Sequence, residues 1–301
     1  SAVYTIAEGT PQPVDVVACG LQYPERLDDV AWENDRAAYR AYGPALQEKG
    51  ERAFGYDIWT KSVSEPVVED RYDGDLNRGI SYHVDHGNGM DCYAVGPTLG
   101  GGTAALFPDS TIVYPYCYKD CEVLDNGPLR FTTKLVYNPL VVKGDSNVIE
   151  TRIISLDKGS QLNKTVVSFD NLQETTPVVT GIVLHKQNPT GYSFDANAGY
   201  IAYADSTENA ANNNGVIYIG AVFPANIKGA LPQMFSEKEQ KDRGGALGHV
   251  LSVSVYEAGS EYIYYWGSGW SKYGFEADTD WNKYLEEYDR KIRNPLAVAI
   301  K

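Results

Sequence analysis

Residues 82–102 read YHVDHGNGMDCYAVGPTLGGG and set His83, Asp85 and His86 close together, with Asp91 following and Tyr82 and Tyr93 flanking. A histidine beside a carboxylate is held in one tautomer, which suits a general acid or base near neutral pH. Along an extended strand His83 and Asp85 would share one face and His86 the other, whereas on a loop all three can converge. Converged, two imidazoles and a carboxylate are also a ligand set for zinc or another divalent ion, although no HExxH helix or paired CxxC accompanies them. The third reading is structural, with polar side chains satisfying a glycine-rich loop. Acid/base work or substrate contact weighs most; no resident cofactor is expected, and a metal at His83, Asp85 and His86 stays open. GPTLGGG lacks the GK[ST] ending and the following helix of a phosphate loop.

Upstream, residues 23–43 gather Glu25, Arg26, Asp28, Asp29, Glu33, Asn34, Asp35, Arg36 and Arg40 around Trp32. A charge run of this kind is usually a solvated face. The alternative is a sugar subsite in which Trp32 stacks on a ring, Arg26 or Arg36 forks onto a carboxylate or sulfate, and Asn34 donates a hydrogen bond. His185 and Lys186 end the apolar strand VVTGIVLHK, where a polar pair can project into a cleft mouth, though a lone histidine there is more often structural. Arg152 lies within the alternating strand VIETRIISL, on a wet face or on the concave face of a groove. His249, before VLSVSVYE, is less committed. Trp266, Trp270, Tyr265 and Lys272 stand among the glycines of YIYYWGSGWSKYG and offer either a sugar platform or core aromatics. Serine or thiol catalysis has little support: there is no GxSxG elbow, and Cys92 sits in no nucleophile signature.

The segments that must position these residues are short, rich in Val, Ile, Thr and Tyr, often alternating, and parted by Gly, Asn, Asp or Pro. They are AAYRAYGPAL, GYDIWTK, STIVYPYCY, LRFTTKLVYN, NVIETRIISLD, NKTVVSFD, TPVVTGIVLHK, GYIAYAD, GVIYIGAVFP, HVLSVSVY and EYIYYWGSGW. That pattern predicts strands with one buried face. The absence of long amphipathic helices between them argues against a parallel βαβ sheet. The expected fold is all-β, a large antiparallel β-sandwich forming one unit over residues 1–301. One helix is expected near the end, in DTDWNKYLEEYDRKIRNP, with Trp281, Tyr284, Leu285, Tyr288 and Ile292 on one face, Asp278 or Thr279 as cap and Pro295 as stop.

The polar stretches EDRYDGDLNRG (69–79) and ADSTENAANNNG (204–215) predict solvated loops; calcium could bind there, but neither has calcium-loop spacing. The formal net charge of -14 offers no basic face for a nucleic acid. It does not exclude an acidic sugar, which a few local Arg and Lys residues can hold. No apolar run is long enough to span a bilayer. Of the four cysteines only Cys117 and Cys121 are close, at a spacing that allows a local disulfide in an exported protein. The chain begins SAVYTIAEGT without a basic-then-apolar leader, which fits either a cytoplasmic protein or an exported one whose signal has been removed.

Taken in order, ERLDDVAWENDRAAYRAYGPAL, YDIWTK, YHVDHGNGMDCYAVGPTLGGG and YYWGSGWSK resemble the domain-of-unknown-function family 4861 from about residue 15 to the end. The resemblance implies a periplasmic or secreted protein of polysaccharide-degrading bacteria, with a large sandwich similar to that of galactose mutarotases and several polysaccharide lyases. It also implies an activity like that of an oligosaccharide dehydratase, which removes water from the terminal uronic acid of ulvan fragments. The partner would then be an acidic oligosaccharide and the reaction class a carbon–oxygen lyase. A glycoside hydrolase, a mutarotase-like epimerase and a non-catalytic carbohydrate-binding protein are the alternatives.

Elimination from a uronate needs a base for the C5 proton, a cation or hydrogen-bond donor on the carboxylate, and an acid at the C4 oxygen. Carried onto this chain, the resemblance makes His83 and His86 the acid/base candidates, with Asp85 or Asp91 as orienter. Arg36 or Arg152 with Asn34 becomes the carboxylate clamp, and Trp32, Trp266 and Trp270 the platform. His185 joins the catalytic set and Lys186 the substrate-binding set from their place at a strand end.

Overall fold

The computed structural model describes residues 8–10, 12–207, 210–225 and 227–297. Both ends of the expected 1–301 unit, and part of the 204–215 stretch, lie outside the described residues. The strands are β1 (Cys19–Tyr23), β2 (Asp29–Glu33), β3 (Ala37–Ala41), β4 (Asp57–Thr60), β5 (Gly101–Leu106), β6 (Tyr118–Asn126), β7 (Arg130–Tyr137), β8 (Leu140–Val142) and β9 (Asp145–Asp157). They continue as β10 (Leu162–Asp170), β11 (Thr176–Leu184), β12 (Tyr192–Asp195), β13 (Tyr200–Asp205), β14 (Ile217–Val222), β15 (Gly229–Met234), β16 (Gly248–Tyr256) and β17 (Tyr262–Trp270). The helices are α1 (Pro44–Glu48), α2 (Val68–Asp73), α3 (Glu237–Asp242) and α4 (Asp278–Arg293).

The strands form three sheets, ordered β1-β2-β3-β4, then β12-β13-β14-β17-β10-β9-β7-β6 with β8 beside β9, then β15-β16-β11-β5. Every pairing between these strands is antiparallel. The fold is therefore all-β, a large antiparallel sandwich, as its alternating segments predict. In β9 and β10 buried positions alternate with more exposed ones, because one face meets the core and the other is more open. By contrast β2, β3, β4 and β5 are buried at every position. One apolar core joins all three sheets, drawing Trp32 and Tyr39 from the first, Phe131, Ile154 and Trp266 from the second, and Leu106, Val178 and Ile182 from the third.

On the opposite face of the largest sheet, Trp281 and Leu285 of α4 pack on Leu162, Tyr200, Tyr218 and Val222, with Tyr284, Tyr288 and Ile292 alongside. This is the expected helical stripe. The cap differs: Ala277 is the N-cap, and Asp280 Oδ2 reaches back to accept its N–H at 3.1 Å. The helix stops at Arg293, two residues before Pro295.

Three expectations are corrected. EDRYDGDLNRG is not a loop: it forms most of α2 and a wider turn at Gly74–Arg78, with Glu69 and Asp70 at the helix start and Arg71 at its end, matching the helix dipole. STIVYPYCY is mostly irregular, with only Val113 bridging to Leu106 before β6 begins. Cys117 and Cys121 are free thiols; the Cys117 thiol donates to Gln47 Oε1 at 2.6 Å, and Cys121 Sγ lies 3.7 Å from Thr133 Oγ1. Among the described residues no helix is long and apolar enough to cross a membrane.

Candidate functional site

Antiparallel pairing of β3 with β4 sets Arg40 directly opposite Asp57. The guanidinium lies 2.5 Å from Asp57 Oδ2, 3.2 Å from Asp91 Oδ2 and 3.5 Å from Asp29 Oδ2. It also sits over the rings of Tyr42 and Trp59, at 4.9 and 5.3 Å. Three buried carboxylates on one buried arginine leave the cluster with an excess of potential negative charge. Asp29 responds: burial pushes its pKa up to about 6 despite the opposing pull of Arg40, and its Oδ1 has no hydrogen-bond partner among the described residues.

His83 reaches this cluster from outside. Its Nδ1 lies 3.1 Å from the Asp91 carbonyl and 3.7 Å from Asp91 Oδ2, with 56% of the side chain exposed. The expected pairing of His83 with Asp91 is present. Asp85 does not join it, because Oδ1 accepts the N–H groups of Gly87 and Gly89 at 2.8 and 3.0 Å and so closes the loop. Both glycines have left-handed φ values, 97° and 96°, which the turn requires. His86 turns to the Ser81 carbonyl, 3.0 Å from Nε2, and lines a different cavity. The HxDH motif therefore diverges rather than forming a ligand set. Among the described residues no group of three or more His, Cys, Asp or Glu side chains is placed to hold a metal ion.

A second cluster forms where two sheets end together. β11 leaves its register with β16 at Leu184, so His185 is the first residue off the sheet, and β13 ends at Asp205. His185 Nδ1 lies 2.9 Å from Asp205 Oδ2, and the His185 backbone N–H donates to the Tyr203 hydroxyl at 3.0 Å. A carboxylate on Nδ1 fixes the tautomer and leaves Nε2 as the working nitrogen. Lys186 follows, exposed, in a turn.

Tyr93 stands against this second cluster. Its ring meets that of His185 edge-on at a centroid distance of 5.8 Å, and its hydroxyl is buried without a hydrogen-bond partner among the described residues. Burial, reinforced by the negative potential of Asp205 and Asp57, pushes its pKa well above the usual phenol range. It is thus a neutral O–H donor at ordinary pH. The carboxylate-held His185 beside the neutral Tyr93 can move protons between neighbouring carbon and oxygen atoms.

Several expected binding residues lie elsewhere. Trp32 and Trp266 are fully buried, their Nε1 groups donating to Asn163 Oδ1 at 2.7 Å and Thr165 Oγ1 at 2.8 Å, so neither offers a face to a sugar. Arg152 is likewise inside the core, bound to Glu150 at 2.6 Å and to the Tyr56 hydroxyl at 3.0 Å, and cannot clamp an incoming carboxylate. Asn34 ties a turn, donating to the Asp157 and Ser160 carbonyls and accepting from the N–H groups of Arg36 and Ala37. Trp270 is buried and donates to the Asn214 carbonyl at 2.8 Å. Arg36 is partly exposed and pairs with Asp35 at 3.4 Å, whose other oxygen accepts from Gly159 N–H. His249 is wholly buried: Nε2 accepts the Leu99 N–H at 3.1 Å, and burial pushes its pKa down to about 3, so it is a structural acceptor.

Sequence reading passed over Arg40, Asp57, Tyr93 and Asp205 as site residues. Tyr93 and Asp205 carried no spacing signal, since their partners come from other sheets. Arg40 and Asp57 sit in β3 and β4, which are buried at every position, and pairing register rather than local pattern makes them neighbours.

The family model described as Domain of unknown function (DUF4861) matches residues 6–298. A relative from Formosa agariphila, "Uncharacterized protein P7", is 28% identical over 287 residues, covering 92% of this chain and 68% of the relative. Among solved structures, the crystal structure of heparinase III is similar at a TM-score of 0.38 and 9% identity, over 84% of this chain and 35% of that one, so this chain spans about a third of its length.

Proposed function

The chain belongs to the DUF4861 family, and from that premise we propose that it is a carbohydrate-active enzyme, a carbon–oxygen lyase that acts by β-elimination on uronic-acid-containing oligosaccharides. The observation that carries this reading is the His185–Asp205 pair set against the neutral, unpartnered Tyr93 hydroxyl. In the proposed step His185 Nε2 removes the C5 proton while Asp205 holds Nδ1 and stabilises the imidazolium that forms. The electron pair of the C5–H bond becomes the C4–C5 double bond as the C4–O bond breaks. Tyr93, whose buried hydroxyl is uncovered as the substrate seats against His185, gives its proton to the departing oxygen, which leaves as water in a dehydration. His185 then returns a proton to Tyr93 through solvent.

Lys186, the exposed cation beside the pair, meets the uronate carboxylate and makes the C5 proton more acidic. The substrate in this reading is an acidic oligosaccharide, as from ulvan, met in the periplasm or outside the cell.

Incubating uronate-terminated oligosaccharides with the protein tests the reaction class. The expected product shows the ultraviolet absorbance of a conjugated unsaturated uronate and, by mass, the loss of water. A new reducing end without unsaturation would point instead to hydrolysis, and no product across acidic oligosaccharides would sink the lyase reading.

A further inference from the structure

We propose that the cavity between α2, the turn at Gly74–Arg78 and the loop around residues 80–89 binds a compact oxyanion, a carboxylate or sulfate group. The cavity has room for about 50 Å³; Arg71, Arg78, Ser81, Tyr82 and Asn88 stand in its wall, together with Asp70, whose carboxylate is paired with Arg78. Arg71 carries the inference. It is only 6% exposed, and its Nη2 donates to the Thr60 and Asn88 carbonyls at 2.9 and 2.7 Å. Its Nε and Nη1 are buried with no acceptor among the described residues.

A buried guanidinium is costly unless its charge and its donors are both met. The carboxylates whose charge Arg71 feels most are Glu33, Asp91 and Asp85. Each is engaged elsewhere: Glu33 by Lys61 at 2.5 Å and by the N–H groups of Val67 and Val68, Asp91 by Arg40, and Asp85 by its own turn. Burial lowers the Arg71 pKa only to about 10, so it remains a cation at neutral pH.

The wall is shaped for that cation. A Cβ on Gly89, where φ is 96°, would run into the Thr60 carbonyl oxygen and stand 2.9 Å from Arg71 Nη2, so a side chain there would collide with the backbone and crowd the guanidinium as well. Around it Arg78 is held by Asp70 at 2.6 Å and Asp73 at 2.8 Å, and His86 donates from Nε2 to the Ser81 carbonyl, which leaves Nδ1 an acceptor in the neutral ring, so the arginines rather than His86 meet an anion. An oxyanion entering here offsets the Arg71 charge and, with a small turn of the side chain toward the cavity, supplies the acceptors that its buried Nε and Nη1 lack. This site is separate from the His185–Asp205 pair and does not rest on the elimination chemistry.

Melting temperature is measured against sodium sulfate and against sodium chloride at matched ionic strength, then with glucuronate, a sulfated monosaccharide and their neutral parent sugars. Sulfate is expected to give a saturable rise that chloride does not. Arg71→Gln should abolish it. Since that variant also loses the Thr60 and Asn88 contacts, Val84→Trp serves as a second test: Val84 is exposed, lines the same cavity and touches none of those bonds, and its bulk should block entry. A response to the charged sugars as well assigns the site to a saccharide substituent, and a response to sulfate alone assigns it to a free ion; both support an oxyanion site. A rise that does not saturate, or one undiminished in both variants, overturns the proposal.

Discussion

At the residue scale, the Arg40 cluster shows how burial sets chemistry. Asp57 and Asp91 hold the guanidinium closely, while Asp29 stands further off at 3.5 Å, and its Oδ1 finds no close hydrogen-bond donor among the described residues. Its folded pKa, about 6 against an ordinary 3.8, means that the fold prefers Asp29 protonated. For an acid raised in this way, the contribution to stability is fully present below pH 3.8 and is lost as pH rises through 6. The ionised form therefore costs up to roughly 3 kcal/mol at neutral pH. Asp29→Asn should raise denaturant stability at pH 8, with the gain fading toward pH 4; a parent more stable than the variant at pH 8 would show that the Asp29 charge is needed by Arg40. His185 stood out as a candidate because it closes an apolar strand, but its partner Asp205 did not; for His83 the motif left Asp85 or Asp91 open as orienter, and it is Asp91 that stands beside it. Trp32, Trp266 and Arg152 were misread for a definite reason. Alternation separates two faces of a strand, but it does not say that a second sheet will cover the face an aromatic or arginine occupies.

At the element scale, the long alternating strands such as β7, β9, β10 and β16 followed their composition while STIVYPYCY did not, and α4 followed its stripe of Trp281, Tyr284, Leu285, Tyr288 and Ile292. What local pattern could not show is how closely α4 approaches the sheet. Gly220 in β14 makes that approach possible: a Cβ there would lie 2.6 Å from Leu285 Cδ1 and 3.0 Å from Trp281 Nε1. Gly220→Ala should therefore displace α4 and destabilise the protein by about 1–3 kcal/mol, the usual range for overpacking a filled interface. Equilibrium unfolding of the two proteins measures this directly, and an unchanged midpoint would mean that α4 shifts at no cost. The short helix α2 was missed because Gly, Asn and Asp in EDRYDGDLNRG favour turns, while its helical form depends on tertiary contacts such as Val68 and Tyr72 against Trp59 and Tyr82.

At the scale of the whole molecule, the arrangement of sheets assembles the candidate site. His185 comes from the β15-β16-β11-β5 sheet, Asp205 from the largest sheet, and Tyr93 from the segment between β4 and β5. The contacts among them link positions 20 residues apart for the His–Asp pair and far more for Tyr93, which is why no motif announced them. The most direct test of the proposed account is kcat for uronate dehydration by the parent, His185→Ala, Tyr93→Phe and Arg36→Ala. Loss of a positioned acid or base typically costs about 100-fold or more. The account predicts such losses for His185→Ala and Tyr93→Phe, with Arg36→Ala close to the parent. Retained turnover in His185→Ala and Tyr93→Phe, together with collapse in Arg36→Ala, would contradict it.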